Sequence, residues 1–130
     1  MNNELSPLGL FKKVMFTDYF NINGRAPRRE YWWYIAISLI IYFLLNIFAS
    51  VFNYIFHTNL IYNIVSIYIL LTVIPTITVG VRRLHDIGRT GWWWLANLVP
   101  GFGWVILLFF YCTDSEIGAN KFGINPKIKW

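Results

Sequence analysis

From Tyr31 to Val81 the chain carries no Lys, Arg, Asp or Glu, a run of 51 residues. A helix needs about 20 residues to cross about 30 Å of hydrocarbon, so this run fits two crossings and a short turn. The most polar point between the two apolar stretches is His57-Thr58-Asn59, which predicts spans over 31–56 and 60–81. A third charge-free run goes from Gly91 to Thr113, with its apolar part at 92–111. Pro100, Gly101 and Gly103 interrupt it, and an interior proline removes a hydrogen bond and kinks a helix. Two solutions are open. One is a kinked third crossing whose freed groups are satisfied by neighbours. The other is a re-entrant hairpin turning at Pro100-Gly101, which leaves the tail on the side it entered from. The aromatic belts favour the crossing.

Ahead of the first span, Leu8, Phe11, Met15, Phe16, Tyr19 and Phe20 recur near helical spacing, with Lys12, Lys13 and Asp18 elsewhere on the wheel. This predicts a short amphipathic helix, lying in the membrane interface or packed on the end of the bundle. It is not a cleavable signal, because Asp18, Asn21, Asn23 and Gly24 follow the basic pair where an apolar core would be needed. The expected architecture is an all-α integral membrane fold in a single domain over 1–130. It comprises a cytoplasmic amphipathic segment (1–30), spans at 31–56 and 60–81, a basic loop (82–91), a third span (92–111) and a tail (112–130).

Composition agrees. The A, V, I, L, M, F, W, Y and C set makes up 57% of the chain, aromatics 20% and charged residues 13%. With glycine the apolar share is about 64%, against about 45–50% in a soluble domain. That excludes disorder and leaves too few charges to coat a soluble globule. The net charge is +5, but the basic residues flank apolar segments, which points to anionic lipid and topology control, not nucleic acid. Cys112 is the only cysteine, so neither an internal disulfide nor a Cys-based metal site is expected. Three crossings with a cytoplasmic N-terminus put eight basic residues inside and three outside, in line with the positive-inside tendency.

Polar residues inside the spans form stripes. Ser38, Tyr42, Asn46, Ser50, Asn53 and His57 follow steps of three or four, as do Tyr68, Thr72, Thr76 and Gly80, and Asn97 joins from the third segment. Such stripes mark helix–helix contact faces. The alternative is a polar pathway for a small solute in an oligomeric transporter or channel. No acidic residue lies within any span, and ion-coupled carriers usually need one.

Two segments at the predicted cytoplasmic face share a local logic: Gly24 to Trp33 and Arg82 to Trp94. Each has a glycine that can turn the chain, arginines at headgroup level and an aromatic cluster at the mouth of a span. Pro27 suits a helix start, with Glu30 in the first turn. Gly88 can close the second span. The candidate cluster is Arg25, Arg28, Arg29, Glu30, Arg82, Arg83, His85, Asp86 and Arg89, read either as an ion-pair network or as a site for an anionic headgroup. Trp32, Trp33, Trp92, Trp93 and Trp94 are its interfacial aromatics. His85 and Asp86 are not expected to be a catalytic dyad, since sequence neighbours point about 100° apart on a helix. No nucleophile motif or metal-ligand set is visible, so no catalytic residue, metal or cofactor is expected and the reading is not an enzyme, the alternative being an enzyme on a lipid or envelope precursor acting through His85 and Asp86. The expected partners are anionic membrane lipids, a membrane-protein partner or further copies of the chain. The favoured role is a membrane scaffold or interaction protein.

These motifs resemble those of the DUF805 family of small bacterial inner-membrane proteins. One family segment matches Tyr19-Phe20, Gly24-Arg25, Arg28 to Tyr31 and Trp32. A second matches Arg82 to Asp86, Gly88, Arg89, Thr90 and Gly91 to Trp93. Pro100 and Gly103 fit its Pro-x-x-Gly element, and Gly118, Asn120, Phe122-Gly123 and Pro126 fit its tail. The likeness runs from Phe11 to Pro126 and departs at Cys112 to Glu116, where members often carry Gly-rich residues. It implies a bacterial inner-membrane protein without a settled activity.

Overall fold

The computed structural model describes residues 5–129. Helix α1 (Pro7–Lys12) continues into a wider π turn (Lys13–Thr17). Two long helices follow, α2 (Arg28–Phe56) and α3 (Leu60–Asp86). A 3-10 stretch (Gly91–Leu98), helix α4 (Phe102–Cys112) and a short 3-10 turn (Pro126–Lys129) complete the order. At 1.5 Å per residue, α2 and α3 are about 43 and 40 Å long, more than the about 30 Å of a hydrocarbon core. Both are apolar enough to cross it.

Pro27 precedes the first residue of α2 with extended geometry, and Glu30 stands in its first turn. The helix closes at His57, held at φ 50° with its N–H on the Asn53 carbonyl. The turn therefore falls where the polar dip placed it. Tyrosines join the two antiparallel helices. Tyr34 Oη donates to the Thr72 carbonyl at 3.3 Å and lies 3.0 Å from Thr76 Oγ1. Tyr68 Oη donates to the Ser38 carbonyl at 3.0 Å. The outer face of α2, including Leu39, Ile40, Phe43, Leu44, Ile47, Phe48 and Val51, is exposed. So continuous an apolar belt suits lipid, not water.

The polar stripes are mostly satisfied within their own helices. Asn46 Nδ2 donates to the Tyr42 carbonyl, Ser50 Oγ to Asn46, Thr72 Oγ1 to Tyr68 and Thr76 Oγ1 to Thr72. Ser50 and Thr76 also reach tyrosines of the facing helix. Asn53 is half-buried.

Helix α3 contains Pro75, whose missing N–H deprives the Leu71 carbonyl of its helical donor. Tyr19 Oη takes that place, donating to Leu71 O at 2.9 Å, while the Tyr19 carbonyl accepts from Thr78 Oγ1 at 3.3 Å. The N-terminal arm is therefore fastened along α3. Leu10 and Val14 are fully buried, and Phe11 stacks on Tyr34 at 5.7 Å. Of the two placements open for the amphipathic segment, the arm adopts packing on the bundle. Leu8, Phe16 and Phe20, expected on one apolar face with Phe11, point outward. Tyr19→Phe is expected to cost about 1 kcal/mol, the net worth of one hydrogen bond, read as a lower Tm in detergent with the fold retained.

A third crossing helix over 92–111 is not formed. Val99 to Gly101 break the segment, with Gly101 at φ 78°. The 11 residues of α4 reach only about 16 Å. The segment folds back on itself: Trp104 Nε1 donates to the Asn97 carbonyl at 3.0 Å, and Gly103 lies against the Ala96 carbonyl. Its 3-10 half leaves the end of α3, and its last residues return there, where Arg83 Nε donates to the Tyr111 carbonyl at 3.3 Å. The aromatic belts misled because Trp94 is not interfacial. It turns inward onto Gly80 of α3, where an added Cβ would stand 3.0 Å from its ring.

Candidate functional site

Asp86, the last residue of α3, is fully buried. Its Oδ1 accepts from Arg25 Nε at 3.0 Å, and its Oδ2 accepts from Arg83 Nη1 at 2.6 Å and from Ser115 Oγ. A buried carboxylate is tolerable only when paired and fully hydrogen-bonded, and this one is. The guanidiniums extend the network to backbone carbonyls. Arg25 donates to Asp86, Glu116, Gly118 and Gly123. Arg83 also donates to the Thr113 carbonyl, and Arg28 to Cys112 at 3.0 Å. A helix leaves its last carbonyls without donors and carries partial negative charge there. Here arginines supply the donors for the end of α4. The end of α3 is closed by the tail in turn, with Glu116 N–H on the Asp86 carbonyl and Asn120 Nδ2 on that of His85.

A second centre lies beside it. Arg82 Nη1 donates to Glu30 Oε1 at 2.6 Å and sits 3.3 Å from Asp18 Oδ2. Lys13 Nζ bridges the same two carboxylates, at 2.8 and 3.0 Å. Burial pushes the Asp18 carboxyl up, but hydrogen bonds from Asn21 and Lys13 and the charges of Arg82 and Lys13 outweigh it and hold it below the ordinary carboxylate range. Arg82 is itself 2% exposed, and its Nε and Nη2 have no hydrogen-bond partner among the described residues.

The six arginines thus reach one end of the molecule but separate into two sets. Arg25, Arg82 and Arg83 are internal, with Glu30 and Asp86. Arg28, Arg29 and Arg89 stand outside. Arg28 and Arg29 line an open groove of about 490 Å³ with Trp32, Trp33, Ala36 and Cys112. The Arg89 guanidinium carbon lies 5.8 Å from the Trp93 ring and 5.3 Å from the Phe110 ring, in range for cation–π attraction. Trp92 is exposed beside them. His85 is not aimed at Asp86. It stacks flat on Phe122 at 3.8 Å, with Nδ1 3.2 Å from the Gly24 carbonyl. Asn97 lies in the hairpin, its Nδ2 on the Trp94 carbonyl.

The residues that sequence reasoning missed are mainly in the tail. Ser115 bonds the central carboxylate, and the carbonyls of Glu116, Gly118 and Gly123 hold Arg25. Gly118 and Gly123 have φ of 75° and 134°, a conformation in which glycine carries no Cβ penalty. Their place in the tail pattern was the one available signal. Lys13 was read as part of an amphipathic wheel, not as the partner of Glu30.

The family model described as "Protein of unknown function (DUF805)" matches residues 19–124. The chain is 38% identical over 110 residues to "Inner membrane protein YhaI" of Escherichia coli (strain K12), covering 85% of this chain and 89% of that one. It is 35% identical over 112 residues to "Inner membrane protein YhaH" of the same strain, covering 86% and 92%. No solved structure matches it. The two motif segments meet in two adjacent buried ion centres that fasten arm, α3, hairpin and tail together, and the chain that carries them belongs to the DUF805 family, as a multi-pass protein of the bacterial inner membrane.

Proposed function

We propose that this protein is a membrane scaffold whose outward arginine–tryptophan face holds anionic lipid headgroups at the cytoplasmic surface. The observation that carries the reading is the groove of Arg28, Arg29, Trp32, Trp33 and Ala36 on the outer side of α2. Its cations stand at the helix start and its indoles one turn deeper, followed by a small residue where a chain can lie. Arginine takes phosphate oxygens in pairs, and tryptophan favours the headgroup region.

Orientation follows from charge. The hairpin brings the tail back to the end where α2 begins and α3 finishes. All 11 Lys and Arg residues then belong to segments at that end, and the opposite turn, 57–59, has none. This exceeds the asymmetry of the three-crossing arrangement and argues for a cytoplasmic N-terminus, a cytoplasmic tail and a re-entrant hairpin. A reporter fused after Trp130 is expected to be active in the cytoplasm, and periplasmic activity would refute the orientation.

The lipid reading is tested by native mass spectrometry of the protein extracted in mild detergent. Anionic phospholipid is expected to be retained by the wild type and reduced severalfold in Arg28→Gln/Arg29→Gln. Equal retention by both would overturn it.

A further inference from the structure

The N-terminal arm enters and leaves at the charged end but dips between. The Leu5 carbonyl accepts from Arg29 Nη2 at 3.2 Å, at the start of α2. Ala26 N–H donates to the Arg82 carbonyl at 3.0 Å, where the arm returns. Between these points Tyr19 is fastened further along α3, its carbonyl on Thr78 Oγ1 and its Oη on the Leu71 carbonyl. Thr78 and Leu71 precede Arg82 by four and eleven residues, or about 6 and 16 Å along a helix. Counted from Leu60, the about 20 residues that cross a hydrocarbon core end at about residue 79, so Tyr19 is bonded to α3 within the span.

At this depth the arm turns its charges inward and its phenyl rings outward. Lys13 and Asp18 lie against Glu30 and Arg82. Phe16 and Phe20 point away, 76% and 75% exposed, with Phe20 set edge-on against Tyr19 at 4.7 Å. Water imposes the opposite order. The α3 side chains near the Tyr19 hydroxyl, Leu70, Leu71 and Val73, are exposed and belong to the lipid-facing surface. Phe16 and Phe20 continue that surface toward the headgroups. Lys12, exposed on the same helical row as Leu8, has a stem long enough to carry its ammonium up to them.

We propose that the arm is a shallow insert in the leaflet at the charged end, with Phe16 and Phe20 set among the upper acyl chains. Interfacial helices seat their apolar side about 5–10 Å deep, the level at which Thr78 holds Tyr19. The partner of this surface is the bilayer itself. The insert bears on the second ion centre, because Lys13 and Asp18 ride on the same stretch as Phe16 and Phe20. Acyl chains around the rings hold both charges against Glu30 and Arg82. The inference rests on α3 as a span and not on the Arg28–Trp33 groove.

Cys112 is the only cysteine, so Cys112→Ser gives a background for a single nitroxide at Phe16→Cys, Phe20→Cys, Ile47→Cys or Ile117→Cys. All four side chains are exposed and should tolerate the label. The full chain is placed in vesicles of phosphatidylcholine and phosphatidylglycerol. Collisions of the label with oxygen, which dissolves in acyl chains, and with a water-soluble nickel chelate are read by electron paramagnetic resonance. Ile47 on the outer face of α2 and Ile117 in the tail mark the lipid and water extremes. Labels at 16 and 20 are expected to meet oxygen readily and the chelate severalfold less often than the label at 117. Chelate collisions at 16 or 20 as frequent as at 117 would overturn the inference. Exclusion of both reagents would overturn it too, since that marks a covering protein. A second measurement needs no label. Phe20→Asp is nearly neutral at a water-facing position, but in a leaflet it expels the arm. Trypsin cleavage after Lys12 or Lys13 in the same vesicles should then run severalfold faster than in the wild type, with Phe20→Leu unchanged. Equal rates in Phe20→Asp and wild type would put the rings in water and end the proposal.

Discussion

Asp86→Ala is expected to lower the folding stability by about 3–5 kcal/mol, the cost of breaking a buried ion pair by removing one partner. The carboxylate is fully buried, and both guanidiniums it holds are nearly or wholly buried with it. Its loss leaves Arg25 and Arg83 facing each other without a counter-ion, and Ser115 without its acceptor. The same carboxylate joins the arm, through Arg25, to the tail, through Ser115, so both should loosen together. Folded domains commonly have only about 5–15 kcal/mol to spare. The variant should therefore accumulate poorly and melt well below the wild type, with the tail open to protease. Adding Arg83→Leu should recover part of the loss, because one orphaned charge goes with it. A wild-type Tm for Asp86→Ala would mean that the network contributes nothing to holding the fold.

Gly103→Ala is the second large effect, and its sign is the informative part. Gly103 lies in α4, and helix propensity alone credits alanine with about 1 kcal/mol over glycine. The structure reverses this. An added Cβ would overlap the backbone carbonyl of Ala96, a group without a rotamer to turn away. The two arms of the hairpin would have to separate, at about 3 kcal/mol, the upper part of the range for overpacking. Gly101→Ala is the control. It must adopt φ 78° with ψ −82°, a sparsely populated region for any residue with a Cβ, but meets nothing within 4 Å, so only backbone strain of about 1–3 kcal/mol applies. Backbone angle alone ranks Gly101 as the sensitive glycine, whereas close packing ranks Gly103. Thermal melting of the two variants side by side decides, with tryptophan emission reporting whether Trp94 has left its place on Gly80.

The two long helices and the turn between them could be read from one property, the absence of charge over 51 residues, because hydropathy is summed locally. The ends were less legible. Helix α3 runs to Asp86, five residues past the expected 81, because Arg82 is paired by Glu30 of α2 and Arg83 by Asp86 one turn on in the same helix, so the charges need not end the helix. The charged residues of the two motif segments meet at one end of the molecule. The motifs did not say which arginines face in.

What the sequence by itself determined is the membrane class, the two spans, the family and the charged end. Each rests on residue type and short-range order. Only the tertiary structure decided that the third apolar segment turns back, that Trp94 packs inward, that Arg25, Arg82 and Arg83 are internal while Arg28, Arg29 and Arg89 are not, and that the tail completes the site. The reason is physical. The arginines are held largely by backbone carbonyls of Tyr111, Thr113, Glu116, Gly118 and Gly123. Every residue has a carbonyl, so residue identity carries no trace of which one a folded chain will bring within hydrogen-bond reach of a guanidinium.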